Sequence, residues 1–260
     1  MRWLYVSALM SVILSSCFPS HTQNEKQENE EAKHLLQGVW LDELSDEPVM
    51  NVKGDTIYYS DVLSDPVFFK IIDDSLVTYG SVVNSYKIIK QGEFNFHFYA
   101  LSGEEVHLHK SELNDTTSFI HKREVPIYDN VLKKDSVVYF NDHRYHGYVY
   151  INPSHFKVTK PTVSESGMAM DNFYYDNIIH ICVYEGKEKI FAQDITKQMF
   201  ESLIPHDFFQ YAILSDMDFD KIDARGYHFQ ANLCVPDDAS CYLINLIVSP
   251  EGTINYEMVN

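Results

Sequence analysis

The chain has 260 residues, 45% hydrophobic and 14% aromatic, enough apolar material for one large packed domain or two small ones. Its formal net charge of −18 repels phosphate backbones and anionic lipid surfaces, which excludes nucleic acid as a partner. Among the 4 cysteines there is no Cys-x-x-Cys pair, so a thioredoxin-like role has no support.

Residues 1–16 have the layout of a secretory signal. Arg2 gives the positive charge, Trp3 to Leu14 the apolar run, and Ser15 and Ser16 the small residues that precede Cys17. The run is shorter than the roughly 20 residues that a bilayer crossing needs. Leu14-Ser15-Ser16-Cys17 resembles the bacterial lipobox. That resemblance implies a lipidated Cys17 at the mature N-terminus, held in the membrane by acyl chains at about 0.8 kcal/mol per buried methylene. Phe18 in place of Asp after the cysteine implies, by the sorting pattern of such lipoproteins, the outer membrane of the cell envelope; the periplasmic and surface faces stay open. Through residue 34 the chain reads as a flexible acidic tether, since "FPSHTQNEKQENEEAK" has too little apolar surface to offset the entropy of ordering it.

Residues 35–124 alternate short strand patterns with turn signals: "GVWLDE", "DTIYYS", "VFFKII", "SLVTYG", "VVNSYKII", "EFNFHFYAL", "EVHLHKS" and "SFIHKRE". In "EFNFHFY", Phe94, Phe96 and Phe98 fall on one face, and Asn95 and His97 on the other. The pattern predicts an antiparallel meander that curls into a small barrel and so removes its open edges. "LLQGVW" resembles the Gly-x-Trp opening of lipocalin-like domains, with Gly38 and Trp40 in the matching places. The resemblance implies that Trp40 plugs one end of the barrel and that Arg123 is the basic residue near the last strand.

The boundary is expected near Pro126, and residues 125–260 read as an α+β domain with an antiparallel sheet. "GYVYINP", "NIIHICVYEG" and "EKIFAQDI" read as strands, as do "YHFQANLCV", "CYLINLIVS" and "INYEMV". Met199, Phe200, Leu203 and Ile204, then Phe208, Phe209, Ala212 and Ile213 after Pro205, recur at helical spacing. The fold class is thus mainly β, a β-rich α+β chain. The stretch from Phe200 to Tyr242 resembles a family of uncharacterised bacterial cell-envelope lipoproteins, which brings no catalytic residues with it.

Cys234 and Cys241 flank the turn "VPDDAS" and form the disulfide candidate, while Cys182 sits in an apolar strand pattern as a buried thiol. His107 and His109, and His143 and His146, are close pairs, but a zinc site needs three or four converging ligands. "DMDFDKIDARG" departs from a calcium loop, with Lys221 where Gly is needed and Tyr227 at the closing position; it reads as a helix exit or an edge strand with Met217 and Phe219 inward. The aromatic clusters Tyr58-Tyr59, Arg144–Tyr150 and Phe173–Tyr175 suit strand cores and cross-strand pairs, or a pocket for a sugar or apolar ligand. No nucleophile elbow, HExxH or phosphate loop is present, and no metal or cofactor is expected. An enzymatic role would need two facing carboxylates, whose separation a sequence does not give.

These features describe a lipid-anchored envelope protein that binds or assists without catalysing. The alternative is a lipocalin-like carrier of a small apolar or glycan ligand. The expected partners are the membrane, through Cys17, and an envelope protein or small ligand.

Overall fold

The computed structural model describes residues 27–120 and 131–259. The signal, Cys17, most of the tether, Arg123 and Pro126 lie outside the described residues. No helix among the described residues is long and apolar enough to cross a membrane.

Eight antiparallel strands form a closed barrel. They are β1 (Gly38–Asp42), β2 (Pro48–Lys53), β3 (Thr56–Tyr59), β4 (Val67–Ile72), β5 (Ser75–Tyr79), β6 (Val83–Gln91), β7 (Asn95–Tyr99) and β8 (Glu105–Lys110). β8 closes on β1 with Lys110 opposite Trp40. Left-handed residues make the tight turns, Gly54 between β2 and β3 and Asp73 between β4 and β5. Met50, Ile57, Phe69, Ile71, Leu76, Phe96, Phe98 and Leu108 alternate inward and have no exposed surface, so no water-sized void borders them. Phe94, expected on one face with Phe96 and Phe98, precedes β7 and is exposed while those two are buried. "SFIHKRE" is not a barrel strand in its described part, where Thr117–Phe119 form a 3-10 turn. The eighth strand is β2 instead.

One end of the barrel is sealed by the short helix α1 (Glu30–Leu35). The Asn29 side chain caps it, accepting from the Ala32 N–H at 3.0 Å. Trp40 is fully buried there, and its indole N–H donates to the Leu36 carbonyl at 2.7 Å. Among the described residues the Lys110 ammonium lies over this indole, 5.0 Å from the ring, and it also donates to the Leu35 carbonyl.

The rest of the chain forms two four-stranded antiparallel sheets. The first holds β9 (Leu132–Phe140), β10 (His143–Val163), β11 (Ala169–Glu185) and β12 (Glu188–Ile195); the second holds β13 (Ile213–Asp223), β14 (Gly226–Cys234), β15 (Cys241–Val248) and β16 (Ile254–Met258). Val149, Ile151, Ile179, Ile181 and Val183 from the first pack with Met217, Phe229, Leu233, Ile244 and Leu246 from the second. Gly147 permits close approach between them, because a Cβ there would sit 2.2 Å from the Phe219 ring. The expected helices shrink to a 3-10 segment, Lys197–Leu203, and a single turn, α2 (His206–Phe209). The cause is Pro205, which pushes the residue before it out of the helical region; Ile204 is extended, at φ −117° and ψ 139°. The α+β expectation thus narrows to paired sheets with little helix.

β10 and β11 run far beyond their sheet as one hairpin, with a bulge between Pro153 and Lys157. The tip of this hairpin closes the second end of the barrel. Met168 and Met170 belong to the barrel core. Tyr59 donates to the Ala169 carbonyl at 3.0 Å, and the Ala169 N–H donates to the Tyr86 hydroxyl at 2.7 Å. The β3–β4 loop joins through Asp65 N–H to Asp171 O and Phe173 N–H to Leu63 O, the β5–β6 loop through Ser81 to the Asp171 carboxylate, and the β7–β8 loop through Leu101 N–H to Gly167 O.

Candidate functional site

Strand alternation gives the first sheet two unlike faces. On β10, Val149 and Ile151 face the core while His146, Tyr148 and Tyr150 face outward. On β11, His180 and Tyr184 join them, with Cys182 buried between. The register sets Tyr148 opposite Cys182 and Tyr150 opposite His180, which gathers the rings into one platform.

Tyr148 is its hub. Its ring lies 4.0 Å from His146 at 30°, 6.3 Å from Tyr150 at 15°, and 5.7 Å edge-on from Tyr184. The Tyr150 ring is 6.1 Å from His180, and the Lys133 ammonium is 5.9 Å from the Tyr150 ring. Hydrogen bonds lock the arrangement. Asp135 on β9 is 2.6 Å from His146 Nε2, and the Tyr148 hydroxyl is 2.8 Å from His146 Nδ1. A carboxylate accepts only, so Nε2–H donates to Asp135, and in the neutral ring Nδ1 accepts from the tyrosine hydroxyl. Asp194 on β12 holds His180 Nδ1 in the same way at 2.7 Å. His146, Tyr148, Tyr150, Tyr184 and Gly186 line an open hollow of about 290 Å³. Burial pushes the Cys182 thiol and the Tyr150 phenol up from their ordinary ranges, so both stay protonated at neutral pH. The surface offers flat rings edged by carboxylates, imidazoles and an ammonium, which suits binding.

A second region lies at the sealed mouth of the barrel. The β1–β2 loop faces the hairpin tip across polar clefts of about 560 Å³ and 460 Å³. Asp42, Glu47, Asp61 and Glu165 line the first; Glu43, Glu104, Glu105, Glu165 and His107 line the second.

Of the aromatic clusters, only Arg144–Tyr150 builds an open face. Tyr59 is a barrel residue, Phe173 packs under Lys157 with the ammonium 4.3 Å from its ring, and Tyr174 hydrogen-bonds Asp237. The two His pairs separate into other partnerships. His107 stacks on His97, His109 meets Asp46, and His143 pairs with Glu185. "DMDFDKID" is the edge strand β13, with Met217 and Phe219 buried. Lys134 spans Asp216 and Asp218 at 2.6 and 3.0 Å, and Asp223 holds the buried His228 at 2.9 Å. Cys234 and Cys241 are disulfide-bonded across the β14–β15 neck, with Cα atoms 4.1 Å apart.

Residues 113–256 match a known protein family, the domain of unknown function DUF4738. The chain belongs to the DUF4738 family. No curated protein matches it. The DUF4738 match takes in the first sheet, the long hairpin, the whole aromatic platform and the second sheet up to the middle of β16, while the barrel strands precede it. Sequence reasoning missed Tyr184 and His180 as platform members. Their signal was the alternation of "HICVYE", which sets His180, Cys182 and Tyr184 on one face.

Proposed function

We propose that this protein is a lipid-anchored, non-enzymatic binding module of the cell envelope, and that its ligand is a glycan held on the Tyr148 platform. The observation that carries this is the locked, outward-facing set of Tyr148, Tyr150, Tyr184, His146 and His180. Flat rings stack on the apolar face of a sugar, while Asp135, Asp194 and Lys133 at the rim exchange hydrogen bonds with its hydroxyls. Aromatic rings fixed by hydrogen bonds lose little conformational freedom on binding, which favours affinity. Cys17 and the acidic segment after it supply the anchor and leash, toward the outer membrane. A carrier needs an apolar cavity, and the packed barrel interior favours the binding face over that alternative.

The test is native mass spectrometry of the protein after incubation with envelope glycan fractions. The expected result is a defined retained mass that disappears in Tyr148→Ala and Tyr184→Ala variants. A bare wild-type mass with every fraction overturns the glycan reading. For the anchor, Cys17→Ala is expected to release the protein from membranes; a variant still in the membrane fraction overturns that part.

A further inference from the structure

β7 and β8 pair with His97 opposite His107, and inward-pointing Phe96, Phe98 and Leu108 force both histidines onto the outer wall of the barrel. The imidazoles lie face to face, 4.1 Å apart between centroids and 8° from parallel. Glu43 approaches from the β1–β2 loop, with Oε2 at 3.3 Å from His107 Nδ1. Donor atoms from Glu43, His97 and His107 all lie within 4.8 Å of one another.

We propose that Glu43, His97 and His107 form a binding site for a divalent transition-metal ion of the zinc class. Imidazole nitrogens with a carboxylate oxygen are a donor set such ions prefer, whereas calcium and magnesium select oxygen alone. Ligands about 2.0–2.2 Å from a tetrahedral ion stand roughly 3.3 Å from each other, so binding draws the donors slightly together and turns the two rings out of their parallel stack until one nitrogen of each aims at the shared ion.

Four further features support the site. The Glu43 backbone is tied to a ligand residue, because its N–H donates to the His107 carbonyl at 3.0 Å. The loop after it is braced by Asp42, whose carboxylate accepts from the N–H groups of Leu44 and Ser45. On the far edge of the same ring, Glu105 Oε2 stands 3.4 Å from His107 Nε2. That places a carboxylate behind a ligating histidine, where it would accept the Nε2 proton once Nδ1 holds the ion. Glu43 and His107 also line the 460 Å³ cleft, whose walls include Glu104, Glu105 and Glu165. The cleft supplies an entry path with cation-attracting walls and room for water in an open coordination position.

The experiment uses the full chain in detergent, stripped of metal by a chelator and titrated with zinc chloride by calorimetry. Cobalt(II) absorption reports the coordination geometry. One ion per chain is expected, with His97→Ala and His107→Ala each weakening binding about tenfold or more and Glu105→Gln about tenfold. His143→Ala, on the distant sheet, leaves binding unchanged. As a check free of any folding defect, zinc is expected to protect His97 and His107 of the wild-type protein from diethyl pyrocarbonate, mapped by mass spectrometry. Absence of stoichiometric binding overturns the proposal, as does binding that survives His97→Ala/His107→Ala, or zinc that leaves both histidines open to the reagent.

Discussion

The barrel interior and the outer face of the first sheet use aromatic residues in opposite ways. In the barrel, Trp40, Phe69, Tyr86, Phe96 and Phe98 are fully or almost fully buried. In the first sheet, Tyr148, Tyr150 and Tyr184 are left in partial contact with water and joined to one another. A closed barrel has one inside, and every inward ring fills it. A two-sheet stack has outer faces free, and a ring placed there contributes less to stability and remains available to a ligand. Stability should therefore concentrate in one set of rings and binding in the other.

The largest expected effect breaks the barrel side of this contrast. Trp40→Ala removes the end plug and the hydrogen bond to Leu36, and should lower stability by about 3–5 kcal/mol in urea unfolding. Next comes the sheet interface. Gly147→Ala drives a methyl group into the Phe219 ring and should lower stability by about 1–3 kcal/mol, with no direct effect on the barrel. Tyr148→Ala sharpens the contrast from the other side. It should abolish glycan retention while shifting the unfolding midpoint less than either core variant, and a shift as large as that of Trp40→Ala would show that the platform is structural.

The smallest effect is a pH dependence. Burial first, then the hydrogen bond to Asp237, push the Tyr174 phenol up to about 12. An unfolded tyrosine titrates near pH ~10. Because the folded value is the higher one, the phenol's contribution is complete below about pH 10 and is lost as pH rises through about 12. Tyr174→Phe should flatten the alkaline limb of the stability curve between those limits, measured by thermal melts at stepped pH.

Most barrel strands were legible because alternation is local, as "EFNFHFY" and "SLVTYG" illustrate. β2 was hidden because "SDEPVMNVK" opens with turn-like residues, although Pro48 is tolerated as a first strand residue. β9 was hidden by Lys133, Lys134 and Asp135, charges that suit an exposed edge strand and mask its pattern. The helical spacing around Met199 was real, but Pro205 overrode it. Half of the platform was visible in "RYHGYVY"; its partners on β11 depend on a pairing that joins residues more than thirty positions apart, such as Tyr148 with Cys182. His97 with His107 was closer to legible, since a hairpin that buries Phe96, Phe98 and Leu108 must turn both histidines out. The hairpin closing the barrel left no local trace: "SGMAMD" reads as an ordinary loop until Tyr59 and Tyr86 are seen to hold Ala169.

That closure has a mechanical consequence. Among the described residues, tension entering the barrel reaches the sheets through the Met168–Met170 tip and through the contacts of Leu63, Asp65, Ser81 and Leu101 with the hairpin. The β10–β11 hairpin then carries it past the bulge between Pro153 and Lys157 to Tyr148. Pulled along its length, such a hairpin shares the load between the backbones of its two strands, so the link between barrel and sheets resists stretching far more than bending.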